Sequence, residues 1–248
     1  MKLQDIFDQL STAEFSMISI GGQPAGVINE NNWSNLVNHI NLGLTALYSR
    51  FTLKEGRITL QLIPNQTYYP ITSAYAVNSR RGRADVRYLL DTPAQPFDDD
   101  IVKIIEVLTD GEIALELNDP LADYSVYTPS AAVLRVPKGM VTGDPATPDD
   151  LRTDNLTLVY RAFHPKVVIP LGFFDPARVD VELPYSHLEA LLWYVASRAH
   201  NPVGMGQEFN AGNQFYAKYE NACRQLENAG LQVDQGGQSG RFERNGFV

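Results

Sequence analysis

The strongest constraint on this fold is a helical pattern that follows a long stretch of different periodicity. Apolar residues recur every three or four positions from Leu188 to Ala199, which predicts a helix with one buried stripe. Ser186 and Glu189 have the spacing of a capping box, in which a hydroxyl and a carboxylate bind orphan backbone amides, so they predict where the helix begins. Asn201-Pro202 predicts its end. The pattern is typical of a helix that buries surface, and nothing in it is typical of a reactive site.

A second helical pattern follows after a short loop. The same apolar spacing runs from Phe215 to Leu226, and Gly230 predicts a left-handed residue after the helix. The two helices together form a hairpin. Leu3–Leu10 and Trp33–Phe51, near the N-terminus, also have the helical period, and the longer of them is the natural third member of a bundle.

Between Lys54 and Pro184 the period changes from about 3.6 to 2. The alternation of apolar and polar residues around Ile58 is typical of a half-buried strand. Asp110-Gly111 has the sequence of a type I′ turn, so it predicts a hairpin between two strands. Pro70 makes its segment an edge strand, because proline donates no ladder hydrogen bond. The predicted strands or extended segments after the first are Thr67–Ile71, Ile101–Leu108, Ile113–Leu117, Ser125–Val136 and Leu156–Phe163, with a polar loop from Gly139 to Asp154.

These patterns predict an α+β fold. Residues 1–53 and 181–231 are expected to form an α-helical bundle, made of the N-terminal helices and the C-terminal helix hairpin. Residues 54–180 are expected to form a large inserted antiparallel β domain, either a sandwich or an open barrel. Residues 232–248 are dominated by Gln, Gly, Asn, Ser and Arg and bury too little apolar surface to fold alone, so we expect a flexible C-terminal arm.

Composition narrows the class of protein. With 248 residues, 44% of them hydrophobic, the chain is long enough to bury a core. No apolar run reaches the roughly 18 to 20 residues of a membrane span, and the N-terminus lacks the apolar core of a signal peptide. We therefore expect neither a membrane protein nor an exported one. The net charge of −9 disfavours tight binding of DNA and suits a surface past which DNA slides. A single cysteine excludes an internal disulfide and fits a reducing compartment.

Residue types that carry catalysis are present but scattered. His187-Leu188-Glu189 matches the first half of a zinc-deaminase pattern, yet the Pro-Cys-x-x-Cys half is missing. Cys223 lies on an apolar stripe, which predicts a packed thiol. The sequence contains no P-loop, nucleophile elbow or dinucleotide-binding glycine pattern. We therefore expect no catalytic residue, no cofactor and no metal site, and a protein that is not an enzyme. The remaining histidines, expected to be structural or partly exposed, are His39, His164 and His200.

Two clusters in the β region have alternative interpretations. Asp98-Asp99-Asp100 is either a calcium loop or a solvated acidic turn, and the lack of alternating oxygens with a glycine turn favours the second. Tyrosines along the region form either a sugar-binding platform or part of a sheet core or interface, and the second is the commoner use. They are Tyr68, Tyr69, Tyr75, Tyr88, Tyr124 and Tyr127.

The C-terminal arm carries the candidate partner residues. It is either a frayed terminus or a segment that orders on a neighbouring subunit. In the second case its contacts are Arg241, Phe242, Arg244 and Phe247.

The C-terminal helix pair also resembles a known family. From Leu183 the chain reads Leu-Pro-Tyr-Ser-His-Leu-Glu-Ala-Leu-Leu-Trp-Tyr-Val-Ala-Ser-Arg-Ala, and the closing helix contains Phe215-Tyr216-Ala217-Lys218-Tyr219-Glu220. With a helical bundle split by a β insertion, these segments are similar to the head-to-tail adaptor or connector proteins of short-tailed bacteriophages, of the tail tubular protein A type. The resemblance covers Val181–Leu226 and extends over Trp33–Ile63.

This resemblance implies a structural virion protein that forms a ring of twelve copies under the portal and extends the DNA channel. Its partners are then copies of itself, the portal protein and tail or nozzle proteins, with DNA as a passing, non-specific cargo and no membrane. Its location is the neck or tail of the virion, after assembly in the cytoplasm of the bacterial host. The family has no catalytic residues to carry over to this sequence.

Three alternatives remain open. The β region is large for the simplest adaptors, which leaves a tail tube or nozzle role in the same virion. A glycan-binding or glycan-cleaving β module would instead present its tyrosines and carboxylates in a concave pocket. A regulatory binding protein would be a monomer or dimer with one exposed apolar patch.

Overall fold

The computed structural model describes residues 1–16, 24, 26–79, 81–82, 84–138, 140, 153–170, 174–200 and 207–230. Over these residues it contains four α-helices and seven strands in two antiparallel sheets, so the predicted α+β class is confirmed. The chain divides into two compact units. The helical unit consists of Met1–Leu53 and His164–Asp234, and the β unit is described over Lys54–Phe163.

The helices of the helical unit are α1 (Leu3–Thr12), α2 (Glu30–Arg50), α3 (Leu188–Ala199) and α4 (Gln207–Asn228). The predicted helix at the N-terminus is confirmed, and its apolar face is buried as expected. The backbone amide of Lys2 donates to the carboxylate of Asp5, which holds the first turn of α1. At the start of α2, the Asn29 side chain accepts from the backbone amide of Asn31.

α3 contacts both α2 and α4, and it is buried almost all round. Its sequence pattern predicts one buried stripe, but Ala190, Tyr194 and Ser197 are buried as well. Charged side chains are costly to bury, so a helix that is covered on several sides carries few of them. On α3 only Glu189 and Arg198 are charged. α3 is therefore the central helix of this unit.

The predicted capping box at the start of α3 is wrong. Pro184 begins a short 3₁₀ turn, Tyr185–His187, in which the amide of His187 donates to the Pro184 carbonyl, and α3 follows directly from that turn. Ser186 is thus already inside a helical turn, where its hydroxyl lies 3.0 Å from Nδ1 of His187. Glu189 instead accepts from the indole nitrogen of Trp193 at 3.3 Å.

A glycine allows α2 and α3 to approach closely. A Cβ atom at Gly43 would lie 2.6 Å from Cδ1 of Leu191 and 3.0 Å from Cδ1 of Tyr194. Glycine costs a helix about 1 kcal/mol relative to alanine, so its presence in the middle of α2 has a packing reason.

Gly230, which follows α4, has φ +67°, and this confirms the predicted left-handed residue after that helix.

The strands of the β unit form two sheets. The larger has the order β3-β1-β7-β4 and the smaller has the order β2-β6-β5. The strands are β1 (Glu55–Gln61), β2 (Tyr68–Pro70), β3 (Leu89–Leu90), β4 (Ile101–Thr109), β5 (Tyr127–Ser130), β6 (Val133–Arg135) and β7 (Asn155–Ala162). β2 is an edge strand, as Pro70 predicts. The unit has its own apolar core, which includes Leu60, Tyr69, Val107, Leu134 and Leu158.

The hairpin predicted at Asp110-Gly111 is wrong in its turn type. Positive φ occurs at Glu112 (58°), and the amide of Glu112 donates to Thr109 O at 2.9 Å, so the loop has three residues. The Asp110 carboxylate binds Thr153 and Asn155, which lie beside it at the start of β7. These long-range bonds fix the wider turn. The segment Ile113–Leu117 then makes single bridges and forms no named strand.

Other predicted boundaries also change. Ser125–Val136, predicted as one strand, contains the hairpin of β5 and β6 with a turn at residues 131–132. The predicted loop from Gly139 to Asp154 lies mostly outside the described residues, as do residues 232–248 of the predicted arm and the predicted helix stop at Asn201-Pro202.

Residues 164–180, predicted as the end of the β domain, belong to the helical unit. The ring of His164 packs edge-on against Tyr48 at 5.5 Å, and the backbone of Lys2 pairs with that of Asp180. The side chains of Lys2 and Asp180 also form an ion pair, in which Nζ of the lysine lies 2.7 Å from Oδ1 of the aspartate. The sequence pattern alone groups this segment with the strands. It belongs with the helices because its long-range partners, Tyr48 and Lys2, lie in the helical unit.

Candidate functional site

The His187-Leu188-Glu189 motif does not form a metal site. His187 is buried, with its ring 4.8 Å from that of Phe51 in an edge-on contact, whereas Glu189 is exposed and bonded to Trp193. Burial lowers the pKa of His187, and its Nε2 has no hydrogen-bond partner. Across the described ranges, no three His, Cys, Asp or Glu residues lie together in a way that would hold a metal ion.

Cys223 is a packed thiol, as its place on the stripe predicts. Its side chain is buried on α4, and burial raises the pKa of the thiol while a hydrogen bond with Tyr219 opposes this. A thiol whose pKa is raised carries little thiolate at neutral pH, so it is a weak nucleophile. The residue contributes to packing between helices.

An ion-pair cluster that the sequence analysis missed joins the end of α2 to α4. Nε of Arg50 lies 2.6 Å from Oε1 of Glu227, and its Nη1 lies 2.9 Å from Oε2 of Glu220. The two glutamates are seven residues apart, which places them on one face of a helix two turns apart. This spacing of Glu220 and Glu227 is the signal in the sequence that could have predicted the cluster. The cluster holds the two helices together and leaves no free nucleophile or base.

Aromatic rings of α3 and α4 form a partly exposed stack. The rings of Trp193 and Phe215 are 5.6 Å apart and nearly parallel, and Nζ of Lys218 lies 4.3 Å from the centre of the Trp193 ring. Glu14 lies near Lys218, and burial raises the pKa of its carboxyl. One of its oxygens is buried without a hydrogen bond. These contacts position the end of α1 and the helix pair.

The acidic run of the β unit is used inside a loop. Asp99 has φ 60°, and its carboxylate accepts from the backbone amide and the hydroxyl of Ser73. Asp100 accepts from the hydroxyl of Tyr160 at 3.1 Å, and burial raises the pKa of Asp100. The run is thus neither a calcium loop nor a freely solvated turn, because two of its carboxylates stabilise the approach to β4.

The tyrosines of the β unit do not form a shared platform. Tyr69 and Tyr88 are buried in the core with rings 5.3 Å apart, and Tyr75 stacks on Tyr88 at 4.8 Å. Tyr68 is exposed, with the guanidinium of Arg135 5.7 Å above its ring. The commoner interpretation, that most of these residues serve the core, fits the structure.

Surface apolar residues are the remaining candidates for function. Tyr185 is 73% exposed, Val168 is 65% exposed and Leu42 is 52% exposed in the helical unit, while Leu121 is 87% exposed in the β unit. Single exposed apolar side chains are common, but exposed apolar side chains that form a patch are typical of contact surfaces. The predicted contact residues Arg241, Phe242, Arg244 and Phe247 lie outside the described residues.

Comparison with protein-family models and with curated protein sequences finds no match to this chain. Among the described helices, none combines the length and apolarity that crossing a bilayer requires.

Proposed function

We propose that this protein is a structural subunit of a bacteriophage virion, a head-to-tail adaptor. Copies form a closed ring under the portal, extend the DNA channel and join the tail. In this role the protein turns over no substrate, and its partners are its own copies, the portal protein and tail proteins.

The observation that carries the proposal is the construction of the helical unit. α2, which precedes the β unit in the chain, contacts α3, which follows it, so a helical core is completed across a β insertion. This is the order of parts in the adaptor proteins that the sequence resembles. The segments that carry the resemblance include the buried residues of α3 and, on α4, the buried Tyr219, which belong to this core.

The chemistry of the described side chains is consistent with a structural role. The buried histidine, the thiol and the paired carboxylates each have a packing or loop-stabilising use in the contacts above. A ring joins one face of each subunit to a different face of the next, which requires apolar surface on the free protomer. The net charge of −9 favours free passage of DNA over tight binding.

Mass measurement of the purified protein, alone and with a candidate portal protein, tests the proposal. We expect a closed oligomer that is a multiple of the 27.6 kDa chain, formed alone or on the portal. A protein that stays monomeric in both conditions, or that hydrolyses a glycan, contradicts the proposal.

The size of the β unit favours a second role in the same virion, that of a tail tube or nozzle protein. Electron microscopy of the oligomer separates the two roles. An adaptor gives single rings, whereas a tube protein gives rings that stack into longer tubes.

A further inference from the structure

The outer face of α2 is one continuous stripe of uncharged side chains. Apart from the adjacent Ser34 and Asn35, the exposed residues of this helix after Glu30 recur every three or four positions, so they lie along one face over about 27 Å. We call this face the neutral stripe; it consists of Asn31, Ser34, Asn35, Asn38, Leu42, Thr45 and Ser49. Leu42 is at its centre and is 52% exposed.

The lack of charge on this stripe is unusual for a helix in water. Residues 31–49 contain no Asp, Glu, Lys or Arg, although 20% of the whole chain is charged, which would place about four charges in such a stretch. Charged residues are depleted at the core of protein interfaces. An exposed face that only has to stay in water usually carries charged residues. A face that is buried against a partner does not need them, so the missing charges indicate a contact surface.

A second apolar side chain is fixed near the stripe. The side-chain amide of Asn41 donates to the carbonyl of Val167 at 2.8 Å, and its oxygen accepts from the amide of Val167 at 3.0 Å. Leu42 and Val168 each follow a member of this pair in the sequence, and both are exposed. The pair therefore joins the two backbone segments that carry these aliphatic side chains, beside the uncharged residues of the stripe.

Charge indicates which partner fits. Two copies with a net charge of −9 repel each other, and the repulsion costs least where the contacting face carries no negative charge. Lys166, exposed and next to Val167, has the sign that attracts an acidic partner. A basic partner would instead select an acidic face. A second copy of this chain fits the neutral stripe better than a cationic protein does.

We propose that the neutral stripe of α2, centred on Leu42, binds a second copy of this chain. This inference rests on the proposed ring and names one of the two faces that each subunit buries there.

Two matched variants test it. Leu42→Glu puts a carboxylate at the centre of the stripe, and Leu121→Glu makes the same change at a leucine that is 87% exposed in the β unit. Both add one negative charge to the molecule, so their effects on general repulsion are equal, and both positions are exposed enough that folding is retained. Sedimentation velocity over a concentration series measures association, and thermal melting checks the fold. We expect Leu42→Glu to weaken association at least tenfold and Leu121→Glu to leave it unchanged.

The outcomes separate this inference from the proposed function. If the wild type assembles and Leu42→Glu assembles equally well, or if both variants dissociate alike, the stripe is not the contact, while the ring is retained. If the wild type forms only dimers that Leu42→Glu dissociates, the stripe is the contact and the ring is wrong. A wild type that stays monomeric alone and with a portal overturns both.

Cysteine labelling gives an independent measurement. The native Cys223 is buried, so a maleimide reagent will react with a cysteine introduced by Leu42→Cys or Leu121→Cys. We expect labelling at position 42 to fall several-fold in the assembled fraction relative to the monomer, with no change at position 121. Equal labelling of position 42 in both fractions overturns the inference.

Discussion

His187 has an edge-on contact with Phe51 and a ring nitrogen without a hydrogen bond, so the fold accommodates its neutral form. Burial lowers the pKa of His39 in the same way, with the positive charge of Arg198 as a smaller cause. At single positions, then, buried histidines make the stability of this chain depend on pH.

The sign of that dependence is fixed for His187. Its pKa is below 6.5 in the folded state, so as the pH falls from about 6.5 the unfolded chain binds the proton first and the free energy of unfolding decreases. We expect a His187→Asn variant to show a smaller decrease between pH 7.5 and 5.5, and His39, whose pKa is also lowered, acts in the same direction. Urea denaturation at each pH measures this. Identical pH profiles for the variant and the wild type would show that His187 is solvated.

Gly43 offers a second test at this scale. Gly43→Ala gains about 1 kcal/mol of helix propensity, but the new methyl group collides with Leu191 and Tyr194, and overpacking costs about 1 to 3 kcal/mol. We expect a net loss of about 1 kcal/mol in the free energy of unfolding. In a Leu191→Ala background, where a cavity receives the methyl group, the same change should stabilise the protein. A gain in the wild-type background would mean that α2 and α3 separate easily.

At the level of elements, the central place of α3 decides the stability of the helical unit. We expect Leu192→Asp to lower the free energy of unfolding by at least about 4 kcal/mol, because it removes a buried leucine and places a charge in the core. Leu121→Asp, the same substitution at an exposed leucine outside the neutral stripe, should melt as the wild type does. Circular dichroism on heating measures both. A soluble Leu192→Asp variant with a normal melting curve would falsify the assignment of α3.

Sequence pattern predicts the elements whose partners are local or whose faces are simple. The period of Leu3–Leu10, the proline of the edge strand and the glycine after α4 each lead to the observed structure. Two of the failures, at Asp110-Gly111 and at residues 164–180, share a physical cause, which is a partner distant in sequence. Asp110 is bound by residues more than forty positions away, and this changes the turn that Asp110-Gly111 would otherwise form.

The candidate surfaces follow the same rule. The Arg50 cluster needs three side chains from two helices, and the sequence shows only the spacing of Glu220 and Glu227. The neutral stripe is visible in sequence as a run without charge, but its meaning depends on which face of α2 is exposed. Burial supplies that information, and periodicity alone does not.

For the whole molecule, the C-terminal arm is the segment whose role is best tested by removal. We expect deletion of residues 232–248 to leave thermal melting unchanged, because they carry too few apolar residues to support a core. On the proposed function, the deletion should weaken ring formation or portal docking, since Arg241, Phe242, Arg244 and Phe247 are lost with it. Native mass measurement with a portal detects this. Unchanged assembly after the truncation rejects the arm as a contact.

The insertion of the β unit within the helical unit also orders events during translation. The described part of the β unit, Lys54–Phe163, is one run of sequence and can fold soon after it leaves the ribosome, whereas the apolar face of α2 is covered only when α3 has been made. At about 5 to 20 residues per second, that wait lasts roughly 7 to 30 s. We expect α2 to be cleaved by protease in nascent chains stalled before residue 188 and to be protected in released chains. A prematurely terminated polypeptide would thus lack the helix that completes its bundle and would leave the apolar face of α2 in water.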